Sequence, residues 1–241
     1  MNKLRGQTVV IIGGSSGMGL ACARLLLQQG CRVHLVARAE AKLSAARQEL
    51  CDGSAQVSTH SADLGNEQQL ATLFSAIGTF DHLVLSASGS KLHCEDIRTE
   101  ALAALKNAFD SKVWGYISAI KQASVHLAPT GSIVLFSGGF SVRPGANTPV
   151  STAANLAIEG LVISLAKSLA PVRINAIRPG LIDTPLTQEL ISSGRSDTLV
   201  RKLPIKRVGA ADDIARGVSY LLAGEYVTGT VLTIDGGYVI H

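Results

Sequence analysis

A glycine-rich stretch near the start of the chain has the composition of a phosphate-binding turn. Four apolar residues, 9–12, lead directly into residues 13–19, which read Gly-Gly-Ser-Ser-Gly-Met-Gly. Glycines let a backbone turn sharply and approach a pyrophosphate closely, and the first N–H groups of a following helix then face the phosphates. The candidate phosphate-binding residues are Gly13, Ser15, Ser16, Gly17, Met18 and Gly19. The stretch therefore predicts a dinucleotide-binding turn, with an ordinary glycine-rich strand–helix turn as the alternative.

The end of the second apolar run carries a cation where an acid would be expected. Residues 32–37 predict a strand that ends at Ala37, and Arg38 follows. In a dinucleotide-binding unit this point lies beside the adenosine ribose, where an acidic residue accepts hydrogen bonds from a free 2′-hydroxyl. Ala37 and Arg38 instead suit a 2′-phosphate, which favours NADP(H) as the cofactor. The alternative is that Arg38 is solvated at the start of a helix.

Strand and helix patterns alternate along the whole chain. After the glycine-rich turn, apolar residues at helical spacing from Leu20 to Leu27 share one face, and Gly30 ends the helix. Further helices are predicted over 39–50, 66–77, 99–127, 151–169 and 210–222, and strands over 9–12, 32–37, 57–62, 81–85, 132–136, 172–177 and 230–234. This alternation predicts an α/β fold with a doubly wound, largely parallel seven-stranded sheet and helices on both faces. The ligand crevice is then expected at the carboxyl ends of the strands.

Two segments beside the expected crevice have the composition of loops. The fourth strand is followed by four small residues, Ser86, Ala87, Ser88 and Gly89, which would let a cofactor lie across the strand end. The alternative for these residues is a plain loop. Residues 183–208 are polar and irregular and follow the sixth strand. Their position predicts a lid over a substrate.

Composition favours one globular domain over residues 1–241. The chain is 46% hydrophobic, 17% charged and 4% aromatic, which suits a buried parallel sheet covered by aliphatic helices. The formal net charge of +4 is spread along the sequence, and no Lys/Arg-rich run with interleaved aromatics occurs. A nucleic-acid partner is therefore not expected. A basic surface would still attract small phosphorylated or carboxylated ligands.

The cysteines and the first residues of the chain indicate whether a metal site, a signal peptide or a membrane span is to be expected. The four cysteines, Cys22, Cys31, Cys51 and Cys94, form no CxxC pair, and no His cluster accompanies them. We therefore expect no metal site, and we expect small apolar thiols in a reducing compartment. The first strand follows the start at once, and the longest apolar runs have strand length. These features predict a soluble cytoplasmic protein with no signal peptide and no membrane span.

Short motifs in a family-like order extend over nearly the whole chain. They are residues 13–19, Asp63-Leu64, Asn175 with Pro179-Gly180, Thr184-Pro185, Arg207-Val208-Gly209 and Asp235-Gly236-Gly237. In order and spacing they resemble the short-chain dehydrogenase/reductase family. The resemblance implies a Rossmann fold that binds NAD(P)(H), with Asp63 and Leu64 flanking the adenine. It also implies that Pro179, Gly180, Ile182 and Thr184 line the nicotinamide side.

The positions of the family's catalytic pair carry other residues. The family has Tyr-x-x-x-Lys at the start of the helix after the fifth strand. Aligning residues 159–161 with that helix places Ser151 at the tyrosine position and Asn155 at the lysine position. A shift by one residue gives Val150 and Ala154, which match no better. Ser151 is a far weaker acid than a phenol, and Asn155 can bond a ribose hydroxyl but carries no charge.

Two further positions of the usual catalytic set also differ. The family's serine after the fifth strand falls on Gly138, with Ser137 one residue earlier, and its asparagine in the long helix is replaced by Lys112. Lys112 is the leading candidate for the proton donor, because the family places this position near the active site. Ser137 or a water could relay the proton, and Arg143 could orient an anionic substrate. The alternatives are a solvated helix lysine and a surface arginine.

These residues predict an NADP(H)-dependent reductase of a carbonyl, imine or similar activated acceptor, with a non-standard proton donor. The small-molecule substrate itself is not identified by the sequence. Two alternatives belong to other classes. One is a non-catalytic NADP(H)-binding sensor or partner protein, and the other is a non-redox enzyme, such as a cyclase or lyase, on the same fold.

The helix predicted over 151–169 also indicates self-association. Leu156, Ile158, Leu161 and Ile163 lie on different sides of it, so that apolar residues nearly encircle the helix. Such a helix needs cover on both sides. We expect a homo-oligomer, a tetramer or a dimer, and the family resemblance implies the same kind of assembly.

Overall fold

The computed structural model describes residues 3–50, 56–87 and 96–240. The strands are β1 Thr8–Ile12, β2 Arg32–Ala37, β3 Val57–Ser61, β4 Phe80–Leu85, β5 Leu127–Phe136, β6 Arg173–Pro179 and β7 Val231–Ile234. The α-helices are α1 Gly17–Gln28, α2 Glu40–Leu50, α3 Glu67–Ile77, α4 Leu102–Ala123, α5 Pro149–Ser168, α6 Gln188–Ser192, α7 Asp197–Lys202 and α8 Ala211–Ala223. Two 3₁₀ turns, Gly139–Ser141 and Tyr238–Ile240, complete the described elements.

The strands form one parallel sheet in the order β3-β2-β1-β4-β5-β6-β7. From β1 the chain first adds strands on one side and then, from β4 onward, on the other. That reversal opens a crevice at the carboxyl ends of the strands between β1 and β4. The predicted single-domain Rossmann fold with seven strands and helices on both faces is confirmed.

The core consists of two apolar layers on opposite faces of the sheet. Strand β1 is buried along its length and alternates between them: Val9 and Ile11 pack with α1 and α8, and Val10 and Ile12 pack with α3 and α4. A strand covered on both faces reads as a continuous apolar run, because neither face meets water. The same burial holds the strand ends in fixed register, and the functional residues follow those ends.

The long helix ends earlier than the sequence predicts. Helix α4 stops at Ala123, whereas the prediction ran to Leu127 with residues 129–131 as the stop signal. Residues 129–131 lie within strand β5, and Leu127 already pairs with Phe80. The backbone N–H of Phe80 also donates to the His126 carbonyl at 3.1 Å. Pairing with β4, a long-range contact, therefore decides where the helix ends.

The segment 183–208 is more regular than the sequence predicts, because it contains α6 and α7. Strand β6 is also longer than predicted and continues to Pro179. Its extension pairs with β7, and the N–H of Gly180 donates to the Ile234 carbonyl at 3.0 Å. Both differences lie on the side of the crevice where a substrate is expected.

Helix α5 is long and apolar enough to cross a membrane by length and composition, although polar residues such as Asn155 and Glu159 interrupt its apolar sequence. A core helix of a soluble protein meets the same criterion. Here α5 packs against β5, β6 and α4, and it buries Ser151, Asn155 and Ile158. Its outer face leaves Leu156 50% and Ile163 62% exposed.

The outer faces of α4 and α5 generate a prediction about assembly. Leu156 and Ile163 are two helical turns apart and share one face of α5, and Trp114 on the neighbouring α4 is 60% exposed. We propose that this surface is covered by a second copy of the chain. Ile163→Glu and Leu156→Glu should lower the mass measured by light scattering at micromolar concentration. Val125→Glu, which alters an even more exposed apolar residue (79%) outside both helices, should not lower the mass. A wild-type monomer would contradict the proposal.

Candidate functional site

The turn after β1 is closed tightly around three glycines. Gly13 has φ +91° and Gly17 has φ +54°, values that L side chains rarely adopt. A Cβ at Gly19 would lie 2.2 Å from the Gly13 carbonyl oxygen, and one at Gly13 would lie 2.5 Å from the Ala87 nitrogen. The backbone of the turn therefore packs directly against the first turn of α1 and against the end of β4.

The start of α1 leaves its N–H groups to a ligand. Ser16 occupies the N-cap position, and in the described part of the chain its side chain makes no capping hydrogen bond. The first turn of α1 also carries no acidic residue. Because the first N–H groups of a helix carry partial positive charge, this end of α1 suits a phosphate.

A groove of about 450 Å³ runs from this turn past the carboxyl ends of β2 and β3. The predicted residues on its walls are Gly13, Ser15, Ser16, Gly17, Met18, Gly19, Arg38, Asp63, Leu64, Ala87 and Thr184. The groove thus joins the phosphate-binding turn to Arg38 and to Asp63, as a bound dinucleotide requires. Two other predicted cofactor residues, Ser88 and Gly89, lie outside the described residues.

One residue of the groove was missed from the sequence. Lys42, in the first turn of α2, lines the same groove as Arg38 and the intervening Ala39. Its position four residues after Arg38 was the available signal. The described lining residues of the groove include two cations here, Arg38 and Lys42, and one carboxylate, Asp63, which follows the neighbouring strand β3.

A second cavity, of about 310 Å³, shares Met18, Ala87 and Thr184 with the groove. The structure brings together here the predicted residues Lys112, Ser137, Ser151, Asn155, Pro179, Gly180 and Ile182. They come from the ends of two neighbouring strands and from two helices: Ser137 follows β5, Pro179 ends β6, Lys112 lies on α4, and Ser151 lies on α5. The packing of α4 against α5 sets their distances.

Lys112 is the only charged side chain on the cavity wall among the described lining residues. It is 5% exposed, so it is not a solvated helix lysine. Its Nζ donates to Asn155 Oδ1 at 2.6 Å and to the Ser137 carbonyl at 3.2 Å. Burial lowers the pKa of Lys112 to about 8, while the negative charge of Glu159 acts in the opposite direction.

A partly buried ion pair between Arg178 and Glu159 is linked to Lys112 through Ser137. Arg178 Nη2 is 2.7 Å from Glu159 Oε2, and the Ser137 and Ser141 hydroxyls donate to Glu159 Oε1 at 2.7 and 2.6 Å. Burial alone would raise the pKa of Glu159, but the hydrogen bonds from Arg178 and the two serines outweigh it and lower the pKa. Glu159 is therefore ionised near neutral pH and provides the internal counter-charge for Lys112.

This arrangement changes the expected role of Ser137. Its hydroxyl is bonded to Glu159, and its carbonyl, not its hydroxyl, contacts Lys112. Neither Glu159 nor Arg178 was identified from the sequence. The only signals were an acidic residue within the apolar helix α5 and an arginine within the apolar strand β6.

Gly138 makes room for Asn155. A Cβ at Gly138 would lie 2.9 Å from Asn155 Nδ2 and 3.4 Å from Asn155 Oδ1. The amide group that accepts from Lys112 thus occupies the space beside this glycine. Gly138 and Asn155 form a matched pair, since a side chain at position 138 would have to displace the amide.

Arg143 contacts Tyr238, a residue of the cavity wall, but Arg143 itself is not among the described residues that line the cavity. Its Nη1 donates to the Tyr238 carbonyl at 2.9 Å, and its guanidinium lies 5.1 Å from the Tyr238 ring centroid. The Tyr238 hydroxyl donates back to the Arg143 carbonyl at 3.2 Å. Tyr238 lines the cavity, so Arg143 has a positioning role where the sequence favoured contact with an anionic substrate.

Comparisons with known proteins agree with this geometry. A family model described as Enoyl-(Acyl carrier protein) reductase matches residues 13–239. The chain is 30% identical over 237 residues to carbonyl reductase family member 4 of Danio rerio, covering 96% of this chain and 97% of the relative.

Two solved structures share the whole fold. A small-chain dehydrogenase in complex with NADPH is 32% identical, with a TM-score of 0.81 over 98% of this chain and all of that one (100%). The MalC reductase/Diels-Alderase from Malbranchea aurantiaca is 25% identical, with a TM-score of 0.91 over 100% of this chain and 98% of that one. With its glycine-lined groove, its adjoining cavity and these relatives, the chain belongs to the short-chain dehydrogenase/reductase family of oxidoreductases.

Proposed function

We propose that the protein is an NADP(H)-dependent reductase of a carbonyl, imine or similar activated acceptor, and that Lys112 donates the proton. The observation that carries this proposal is the buried Lys112 ammonium, bonded to Asn155 in a cavity that adjoins the glycine-lined groove. The match to carbonyl reductase family member 4 supports a small carbonyl-type acceptor.

The residues of the groove fit a nicotinamide dinucleotide. The glycines of residues 13–19 and the start of α1 would hold the pyrophosphate, and Arg38 and Lys42 would hold a ribose 2′-phosphate. Pro179, Gly180, Ile182 and Thr184 line the cavity where the nicotinamide is expected. When bound, the reduced cofactor supplies hydride to the acceptor. The NADPH complex of a solved relative supports this choice of cofactor.

Lys112 has the donors and the environment for the proton transfer. Its ammonium has three N–H groups, of which two are bonded to Asn155 and Ser137. The third can donate to the oxygen or nitrogen of the acceptor. A pKa of about 8 keeps the group protonated at neutral pH yet makes it a far better acid than a free lysine. Asn155 orients the ammonium, and the Glu159 charge stabilises it.

A first prediction concerns the 2′-phosphate. Arg38→Ala should weaken NADPH binding and leave NADH binding nearly unchanged, because a charge-assisted hydrogen bond contributes ~1.5–3 kcal/mol. Calorimetric titration of both cofactors measures the difference. Arg47→Ala, which removes an exposed arginine of α2 outside the groove, is the matched control. Equal or tighter binding of NADH by the wild type would refute NADP(H) preference.

A second prediction concerns Lys112. Lys112→Met should lower kcat by ~10²–10³-fold, because it removes a donor aimed at developing negative charge. It should change the Kd for NADPH much less, and Ser151→Ala should have the smaller effect on kcat. In the wild type, kcat should fall as the pH rises through the Lys112 pKa, since the neutral amine cannot donate a proton to the acceptor.

Lys106→Met is the control for Lys112→Met, because Lys106 is exposed on the same helix. NADPH oxidation with a cyclic ketone and a cyclic imine as acceptors supplies the rates. Turnover that is unchanged in Lys112→Met would remove Lys112 from the mechanism and leave a solvent proton as the source.

A third prediction concerns Gly138. Gly138→Ser puts back the serine of the family pattern, yet we expect turnover to fall, because the new side chain must move Asn155 away from Lys112. The melting temperature should also fall, because the buried Lys112 ammonium would lose its 2.6 Å hydrogen bond to Asn155. Gly160→Ser, where an added Cβ meets nothing within 4 Å, controls for the loss of a glycine. Increased turnover in Gly138→Ser would contradict this role of Asn155.

A non-redox activity in the same cavity is the second candidate. It is favoured by the similarity to a solved structure named as both a reductase and a Diels-Alderase. Product formation without equivalent NADPH oxidation would identify it. NADPH binding with no turnover of any acceptor would instead favour a cofactor-binding sensor.

A further inference from the structure

The cavity wall is apolar except at the end that holds Lys112. Phe140 and Leu181 line the side near the strand ends, and Leu186, Leu190 and Leu199 line it from the segment that contains α6 and α7. Such side chains stabilise a ligand by removing apolar surface from water and offer it no hydrogen bond. A substrate held against these side chains must therefore be largely hydrocarbon.

The polar side chains of the wall use their hydroxyl protons within the protein. Tyr116 Oη donates to the Ala87 carbonyl at 2.9 Å, and Tyr238 Oη donates to the Arg143 carbonyl. Thr187 Oγ1 donates to the Ile182 carbonyl. Among the described lining residues, the donors left to a ligand lie together at one end of the cavity: the remaining N–H of Lys112 and the amide N–H groups of the adjacent Asn155. A ligand can place one acceptor atom there.

A second charge on the ligand would meet no counter-ion among the described lining residues of the cavity. The two arginines near the cavity are already engaged, Arg143 with Tyr238 and Arg178 with Glu159. Among the described lining residues, Lys112 alone is charged, and its ammonium is assigned to the acceptor atom. A carboxylate or phosphate elsewhere on the substrate would be buried against hydrocarbon without a counter-ion, which strongly disfavours binding.

We propose that the substrate is a neutral, compact, hydrophobic molecule with a single hydrogen-bond acceptor, a carbonyl oxygen or an imine nitrogen, and that keto acids and phosphorylated carbonyls are excluded. This assignment rests on the proposed reductase function. The cavity of about 310 Å³ also has to hold the nicotinamide, so the volume left for the substrate favours a small alicyclic skeleton over an extended chain. The leucines on α6 and α7 are then specificity-determining residues.

Two ketones of nearly equal shape test the assignment. 4-Isopropylcyclohexanone and 4-oxocyclohexanecarboxylate differ chiefly in the charge of one substituent. Saturation-transfer NMR gives the affinity of each, with and without NADPH, and NADPH oxidation gives the rates. Wild-type protein should bind the neutral ketone at least ~10-fold more tightly, because the buried carboxylate has no partner.

A designed cation should reduce or remove the preference. Leu190 is 36% exposed on α6 and lines the cavity, so an arginine there can reach the ligand while its backbone stays at the surface. Leu190→Arg should tighten binding of the keto acid ~10-fold, as a charge-assisted hydrogen bond would. Leu102→Arg adds the same charge at an exposed leucine outside the lining residues and should change neither affinity.

Each outcome separates this assignment from the function on which it rests. Preference of the wild type for the keto acid, or no binding of either ketone while NADPH binds, overturns the substrate assignment and leaves the cofactor proposal intact. If the protein binds no NADPH but still prefers the neutral ketone in its absence, the proposed reductase function is overturned and the substrate assignment of the cavity stands. An equal gain in keto-acid affinity in Leu102→Arg would show a non-specific charge effect and refute the role of Leu190.

Discussion

A lysine ammonium buried against an amide is the contact on which the site depends. Removing Lys112 from water disfavours its charged form, and the loss is offset by Asn155, the Ser137 carbonyl and the negative charge of Glu159. Glu159 is itself partly buried and stays ionised because Arg178 and two serines bond to it. Arg178, Glu159 and Lys112 thus form a row of alternating charges that runs from the sheet to the cavity. Neutralising one of these charges alters the stability of the charge next to it.

The fold supplies the rigidity that this row requires. Ser137 and Arg178 lie at the ends of β5 and β6, which are paired in fixed register, and Glu159 and Asn155 lie one turn apart on α5. Helix α5 packs against both strands and against α4, which carries Lys112. Positions on packed elements of this kind vary less than positions on loops, so the distances around Lys112 are set by the core.

Much of the fold could be predicted from the sequence, because the central strands β1, β4 and β5 each end in a short apolar run that is followed by small residues. The end of α4 could not, since no glycine or proline interrupts the helical pattern between Ala123 and Leu127, and pairing with β4 decides the boundary. The groove could be predicted from the glycines of residues 13–19, because these residues are consecutive in the sequence and form the turn by themselves. Arg143 was assigned to a substrate because its partner, Tyr238, lies 95 residues away in the chain. Glu159 was missed for the same kind of reason, since Arg178 stabilises it from another element.

Titration of the lysine side chains by ¹³Cε–¹⁵Nζ correlation NMR, from pH 6 to 11, tests the central claim most directly. Lys112→Met identifies the Lys112 signal by its loss. The Lys112 signal should titrate with a pKa of about 8, well below the ordinary value of 10.5. Glu159→Gln should lower this pKa further, because it removes the opposing charge. A Lys112 signal that titrates near 10.5, or that does not respond to Glu159→Gln, would contradict a buried ammonium held by this row of charges.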